Sequence, residues 1–597
     1  MDIEKFYEGK EFEAYKYLGA HVEKGGVTFR TFAPHAYKVS VIGEFNGFTE
    51  TKMDPVEDGN FYECFIEKAT SGMKYQYRIY SNDEEYCDHC DPYGFGMEVR
   101  PSCCSLVCDL DEYQFQDNAW IEAREEKKEK PVNIYEVHLG TFAKGKDGAW
   151  LTYEEMSETL VDYVKEMGYN YIQFMPLAEH PLDESWGYQS TGFFSPTSRY
   201  GNGRGLKKLI DTFHQNEIGV IMDCNVVSFA IDSYGLADYD GHPLYEYPHK
   251  DAAINEWGSC NFIYSRGEVR SFLQSATNYW LKEYHCDGLR IGGVQRMVYW
   301  HGEKHRGENG QAIDFIKCMN LGLKERFPYC ILTTGKIGGF TKVTDEVGKS
   351  GLGFDYQWDA NWVEDTLKYM AYSPEKRRKQ YYLLPFSMVY FQDEKYMMAL
   401  SHDEAAHKEH SIFEGIYGKT QEKFSQARAM YMYMYAHPGK VLNFMGNENG
   451  QTKRWDGKSS MDWEITKQAE NQKFMDFIKE LNGIYSREEA LSELDYGEQG
   501  FFWVDCLKNG DCMYAMRRQG RKEIVYAIFN FDETPMENYT LNVGETEEIE
   551  VLLNSDWEEF GGHSKHTEEI LTTERITGGN VLTLTVPPFT GIYLKRK

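Results

Sequence analysis

Through residue 115, apolar and polar positions alternate with a period of two, as in VTFRTFAP (27–34), YKVSVIGEF (37–45) and MKYQYRIY (73–80), with Gly, Pro and Asn between. That period marks half-buried strands, so residues 1–115 are read as a small β-sandwich. A charged run, AREEKKEK (123–130), closes the region as a solvated linker or helix edge. The texture then changes to short apolar runs: NIYEVHL (133–139), NYIQFMP (170–176), IGVIMD (218–223), CDGLRI (286–291), YCILTT (329–334), YMMALS (396–401) and KVLNFMG (440–446). These have the length and composition of buried strands.

Amphipathic stretches lie between the runs. Thr152 and Glu155 form a capping-box pattern, after which Met156, Leu160, Val161, Val164 and Met167 mark one helical face that Gly168 closes. Leu206, Leu209, Ile210 and Phe213 mark a second face, and Val269, Phe272, Leu273 and Ala276 a third. Strand then helix, repeated along residues 116–489, predicts an α/β domain with a parallel sheet of a length that suits a (β/α)8 barrel with insertions. Alternation returns in EIVYAIFNF (523–531) and VLTLTVPP (581–588), so residues 490–597 are read as a C-terminal all-β sandwich.

Composition narrows the function classes. A net charge of −31 on 597 residues repels phosphate backbones and anionic lipid, which argues against nucleic-acid and membrane partners and favours a neutral ligand. The start, MDIEKFYEGKEFEAYKYLGAH, has no basic stretch followed by an apolar one, and no segment has the apolar length of a membrane span; a cytoplasmic location is expected. The 13 cysteines are then read as reduced thiols. Cys87, Cys90, Cys103, Cys104 and Cys108 have a spacing that could hold zinc if their loops converge. The preferred reading is no metal, with five small residues on short strands, and no cofactor is called for.

In a (β/α)8 barrel, chemistry sits at the C-terminal ends of the strands. Those ends carry Glu136 and His138, Glu179 and His180, Asp223, Arg290 followed by Gly292, then Gly335, and finally His402, Asp403 and Glu404. The order and wording of NIYEVHLGTF, MPLAEHPLDESWGYQSTGFFSPTSRYG, IMDCNVV, DGLRIGGVQRMVYW, ALSHDEAAH and NFMGNENG resemble the glycogen (1,4-α-glucan) branching enzymes of the α-amylase superfamily. GVTFRTFAPHAYKVSVIGEFNGF and DPYGFGMEVRPS look like the carbohydrate-binding module that precedes such barrels, and GIYLKRK like the end of their C-terminal domain.

The resemblance implies a retaining mechanism, in which an aspartate attacks, a glutamate serves as acid and then base, and a second aspartate grips the distorted sugar. Carried over by position, the arginine-x-aspartate element falls on Arg290-Ile291-Gly292, so the nucleophile position is glycine. The Ala-Glu-Glu-Ser-Thr segment falls on Thr334 to Gly338, anchored by Phe340, so the acid/base position, Gly335, is glycine as well. Asp403 matches the third acid and is present, with His402 before it. Asp223 is present, the sugar-binding histidine five residues on is Ser228, and Tyr188 matches the tyrosine that stacks on the sugar. Lys336 is new relative to the pattern, and Phe48 stands where the module often carries tryptophan.

These positions predict a pseudoenzyme in which no catalytic pair is intact and Tyr188, Asp223, Arg290, His402 and Asp403 bind α-glucan, with another glycogen-metabolism enzyme as a further partner. Arg290 reads equally as a sugar ligand or as the ion-pair partner of Asp223 or Asp403, while Glu136 and His138 are read as braces for the barrel. Two rivals stand beside this reading. One is an active branching enzyme or α-glucan hydrolase using displaced acids; separately, a slipped match would put Asp287 or Glu325 at the two glycine positions, but Asp287 reads as the start of its strand and Glu325 as part of the preceding helix. The other is a protein-interaction scaffold that binds no sugar.

Overall fold

The computed structural model describes residues 1–128, 130–506, 510–566 and 570–597. Eight strands close a parallel barrel in chain order: β1 (Asn133–Val137), β2 (Tyr171–Phe174), β3 (Gly219–Cys224), β4 (Gly288–Ile291), β5 (Ile331–Thr334), β6 (Tyr356–Trp358), β7 (Tyr396–Leu400) and β8 (Lys440–Phe444). Seven of them are the apolar runs read from the sequence. The eighth, β6, was not among those runs, because the three residues YQW are too short to carry a period. Every residue of β1, β3, β4 and β5 is buried, as a sheet covered on both faces requires.

The chain packs as two compact units, each drawing on several stretches: Met1–Glu125, His138–Asp162 and Gln173–Asp355 form the first, and Glu126–Val137, Tyr163–Ile172 and Tyr356–Lys597 the second.

In the first unit, a four-stranded and a five-stranded antiparallel sheet make the N-terminal sandwich, with strands Gly26–Phe32, Lys38–Gly43 and Lys74–Tyr80 where alternation was read. The charged run mostly continues a helix, Asn118–Lys127; its Glu129 lies outside the described residues. An N-terminal arm, helix Ile3–Glu8 and the turn after it, lies on helix Gly267–Glu283, where Ser271 Oγ donates to the Phe6 carbonyl at 2.9 Å and Gln274 Nε2 to that of Gly9 at 2.7 Å. The approach is so close that a Cβ on Gly267 would stand 1.7 Å from the Tyr7 carbonyl oxygen. The capping box at Thr152 forms as read: Glu155 N–H donates to Thr152 Oγ1 at 3.1 Å and Thr152 N–H to Glu155 Oε2 at 2.7 Å.

In the second unit, a six-stranded and a three-stranded sheet enclose a core that includes Ile528, Leu541, Ile549, Leu582, Val586 and Leu594. Arg377, fully buried, ties this sandwich to its neighbours by donating to the carbonyls of Tyr369, Met370 and Phe531. No helix among the described residues is long and apolar enough to cross a membrane.

Gly267→Ala has backbone in its way, so the arm must move; the expected cost is about 1–3 kcal/mol. The measurable result is a lowered Tm together with faster protease cleavage within residues 1–18.

Candidate functional site

The C-terminal ends of β3, β4 and β5 stand side by side in register. Asp223 pairs with Arg290 across β3 and β4, and Arg290 and Ile291 pair with Thr333 and Thr334 across β4 and β5. Gly292 and Gly335 are therefore the residues that follow two paired strand ends. Neither has the left-handed backbone that favours glycine; in this stretch that conformation belongs to Gly293, at φ +65°, which caps helix Val294–Val298. The backbone at 292 and 335 would accept any side chain.

What occupies the space is Arg290. A Cβ built on Gly292 would lie 2.8 Å from Arg290 Nη1, and one on Gly335 has Arg290 Nη2 as its nearest neighbour, at 3.8 Å. The guanidinium thus reaches toward both positions. Its Nη1 donates to Asp223 Oδ2 at 2.6 Å and to the Tyr188 hydroxyl oxygen at 3.0 Å, while Tyr188 donates to the same Asp223 oxygen at 2.6 Å. Of the two acids offered as ion-pair partners of Arg290, Asp223 is bonded to it at 2.6 Å.

Tyr188 is presented by a tight turn. Trp186 and Gly187 both have positive φ, and a Cβ on Gly187 would lie 2.4 Å from the Pro176 carbonyl oxygen, so glycine is required there. Asn225, just past β3, donates to the carbonyls of Tyr188 and Ser228, and its own carbonyl accepts from Val227 N–H at 2.9 Å. Ser228 is buried in a two-residue strand paired with Cys260–Asn261. Lys336 is exposed.

The acids that a shifted match would invoke are elsewhere. Asp287 precedes β4 at its N-terminal end and accepts from Trp120 Nε1 at 2.9 Å and Val220 N–H at 2.8 Å, with His214 Nε2 at 3.0 Å. Glu325 is exposed on helix Gly310–Arg326.

A second cluster belongs to the other unit. Glu136 of β1 is fully buried, and its two oxygens accept from His402 N–H and Nδ1–H, each at 2.8 Å. That fixes the imidazole and leaves Nε2 3.6 Å from Asp403 Oδ1. Asp403 is 51% exposed, in the first turn of helix His402–His407. Ser401 caps this helix: its Oγ accepts from Asp403 N–H at 3.2 Å, and Glu404 Oε2 accepts from Ser401 N–H at 2.9 Å. Burial, reinforced by the charge of Asp403, pushes the Glu404 carboxyl up to about 7. Glu136 thus ties β1 to the start of helix His402–His407, and His138, half-buried, bonds to Thr141 Oγ1 at 2.8 Å. Trp358 of β6 packs edge-on to His402 at 6.1 Å between ring centroids, a neighbour that no sequence pattern announced.

The cysteines of the N-terminal sandwich are free thiols; Cys90 is buried and Cys87, Cys103, Cys104 and Cys108 are half-buried. Burial pushes the thiols of Cys104 and Cys108 up to about 12. Among the described residues, no cysteine belongs to a group of donors close enough to share an ion.

Residues 17–94 match carbohydrate-binding module 48 (isoamylase N-terminal domain), 140–233 the alpha amylase catalytic domain, and 503–597 the alpha amylase C-terminal all-beta domain. The 1,4-alpha-glucan branching enzyme GlgB of Francisella tularensis subsp. novicida is 38% identical over 622 aligned residues, which cover 100% of this chain and 97% of that protein. The chain belongs to the 1,4-alpha-glucan branching enzyme family of the alpha-amylase group. Another branching enzyme, GlgB 1 of Clostridium perfringens, is 38% identical over 609 residues, covering 98% of this chain and 90% of its own. A pullulanase from Anoxybacillus, solved with maltotetraose, shares the fold at a TM-score of 0.74 and 14% identity, over 100% of this chain and 89% of that one.

Within this branching-enzyme homologue, Glu404 offers a pH test. A carboxyl raised from the ordinary 4.5 to about 7 in the fold stabilises it most when protonated. That contribution is complete below the unfolded value and is lost as pH rises through about 7. Glu404→Gln keeps an acceptor for Ser401 and mimics the protonated acid. At pH 8 the variant is expected to be more stable than the wild type by on the order of 1 kcal/mol, the half-buried position reducing the full effect. The two unfolding curves should converge below pH 4.5, as followed by Tm against pH.

Proposed function

We propose that this branching-enzyme homologue binds α-glucan without cleaving it and acts on glycogen metabolism as a binding or regulatory protein. The observation that carries the reading is the place of the Arg290 guanidinium, the nearest side-chain group to the Cβ positions of both Gly292 and Gly335. Retaining cleavage needs two carboxyl groups about 5–5.5 Å apart, one to attack and one to protonate the leaving oxygen. A cation engaged with Asp223 can do neither, and loss of the nucleophile forfeits most of a rate enhancement worth about 8–23 kcal/mol. In this reading Tyr188, Asp223 and Arg290 contact sugar in one unit, and His402 and Asp403 in the other. The match of residues 17–94 to a carbohydrate-binding module supports retained glucan affinity.

A second reading draws on the curated relatives, which are named branching enzymes: the chain is active, with Asp223 as a displaced acid. The contact of Asp223 with Arg290 at 2.6 Å weighs against it, because a carboxylate held by a guanidinium is a weaker nucleophile and base.

Incubation with amylose, followed by the iodine spectrum and the count of reducing ends, separates the two. The proposed function predicts no change in either signal, together with retardation of the protein in glycogen-containing native gels that Tyr188→Ala reduces several-fold. Turnover abolished by Asp223→Asn would establish the second reading instead. Gly292→Asp with Gly335→Glu is expected to restore partial turnover, since a Cβ at 335 meets only ordinary contact at 3.8 Å and one at 292 needs only a small shift of the Arg290 tip.

A further inference from the structure

We propose that His35, Asp240 and His242 form a binding site for a divalent transition-metal cation of the imidazole-preferring kind, such as zinc. All three belong to the first unit. They offer two imidazoles and a carboxylate whose ligating atoms lie within 4.8 Å of one another. The two rings are 5.0 Å apart between centroids, inclined at 40°. In a tetrahedral zinc site with bonds of about 2.0–2.1 Å, ligand atoms stand about 3.3 Å from each other, so the three atoms need only a small inward movement. His35, whose side chain is 46% exposed, has the freedom to make it.

Asp240 is the member that points to a cation. Its side chain is wholly buried, yet no lysine or arginine pairs with it among the described residues. Both hydrogen bonds it receives come from His35, through N–H and Nδ1 at 2.9 Å each, and both end on Oδ2. Oδ1 is buried and accepts no hydrogen bond. A carboxylate taken out of water with half its acceptor capacity unused is costly, and a bound cation removes that cost. The bond from His35 N–H to Oδ2 is the outer-shell contact that orients a ligating carboxylate in known metal sites.

The local chain is shaped to hold this arrangement. Asp238 at φ 47° and Gly241 at φ +84° frame a tight turn closed by Gly241 N–H to the Asp238 carbonyl at 2.9 Å, which presents Asp240 inward and His242 outward. A Cβ on Gly241 would lie 2.5 Å from Ser81 Cβ, so the turn is pressed against the N-terminal sandwich that carries His35. The exposed sides of His35 and His242 leave room for water as a further ligand. Two imidazoles and one carboxylate suit zinc, nickel or copper, whereas magnesium and calcium prefer oxygen. The cation would clip the sandwich loop at His35 to the loop at 238–242.

The full-length, metal-stripped protein is titrated with zinc chloride and, separately, with cobalt chloride. The wild type is expected to take up one zinc equivalent more than His242→Gln, or to bind it at least tenfold more tightly, and to gain a Tm increase with zinc that the variant lacks. Cobalt bound at this site gives visible bands without the near-ultraviolet band of thiolate ligation. His242 is exposed, so the variant's Tm without metal should equal that of the wild type; if it does not, His35→Gln supplies the same comparison. Equal stoichiometry and affinity in wild type and variants would overturn the proposal. So would a thiolate band removed by Cys87→Ser with Cys103→Ser.

Discussion

The ion pair between Asp223 and Arg290, closed by the Tyr188 hydroxyl, organises the strand ends where a reaction would take place. Both side chains are almost fully buried, and the pair bridges two strands at a matched register. Removing one partner of such a buried pair typically costs about 3–5 kcal/mol, because the other is left uncompensated. Arg290 therefore serves the fold as well as any ligand. The same guanidinium reaches toward Gly292 and Gly335, so the space beside the two glycines is partly filled by a side chain held in a buried ion pair.

A parallel arrangement recurs at β1 and β7. Glu136 has no exposure and spends both oxygens on His402, so its carboxylate positions an imidazole and does not meet solvent. Asp403, one residue further on, is more than half exposed. In each cluster a buried acid fixes a nitrogen-bearing side chain from below. Orientation and bond-making belong to different side chains, so a buried acid can hold its neighbour in place without itself meeting a ligand.

Much of this was legible in the sequence, for physical reasons that differ from element to element. The apolar runs of seven barrel strands declare themselves because both faces of a parallel sheet are covered; β6 does not, since Tyr356, Gln357 and Trp358 are too few to establish a pattern and their position comes from closure of the barrel. The capping box at Thr152 and Glu155 is local chemistry and could be read directly. The pairing of Arg290 with Asp223 could not, because it depends on the register of two strands far apart in the chain. Trp358 against His402 and the turn that brings Asp240 to His35, 205 residues away in the chain, rest on tertiary contacts that no spacing encodes. The two glycines were legible only through family resemblance. Their backbone is ordinary, so nothing local demanded glycine there.

The most direct test of the account is an attempt to trap the covalent glycosyl-enzyme. The wild-type protein is incubated with a fluorinated maltosyl fluoride that forms such adducts on retaining carboxylates but releases them slowly, and its intact mass is then measured. The account predicts an unchanged mass for the wild type and an adduct on the Gly292→Asp variant. A maltosyl adduct on any aspartate or glutamate of the wild-type chain would contradict it.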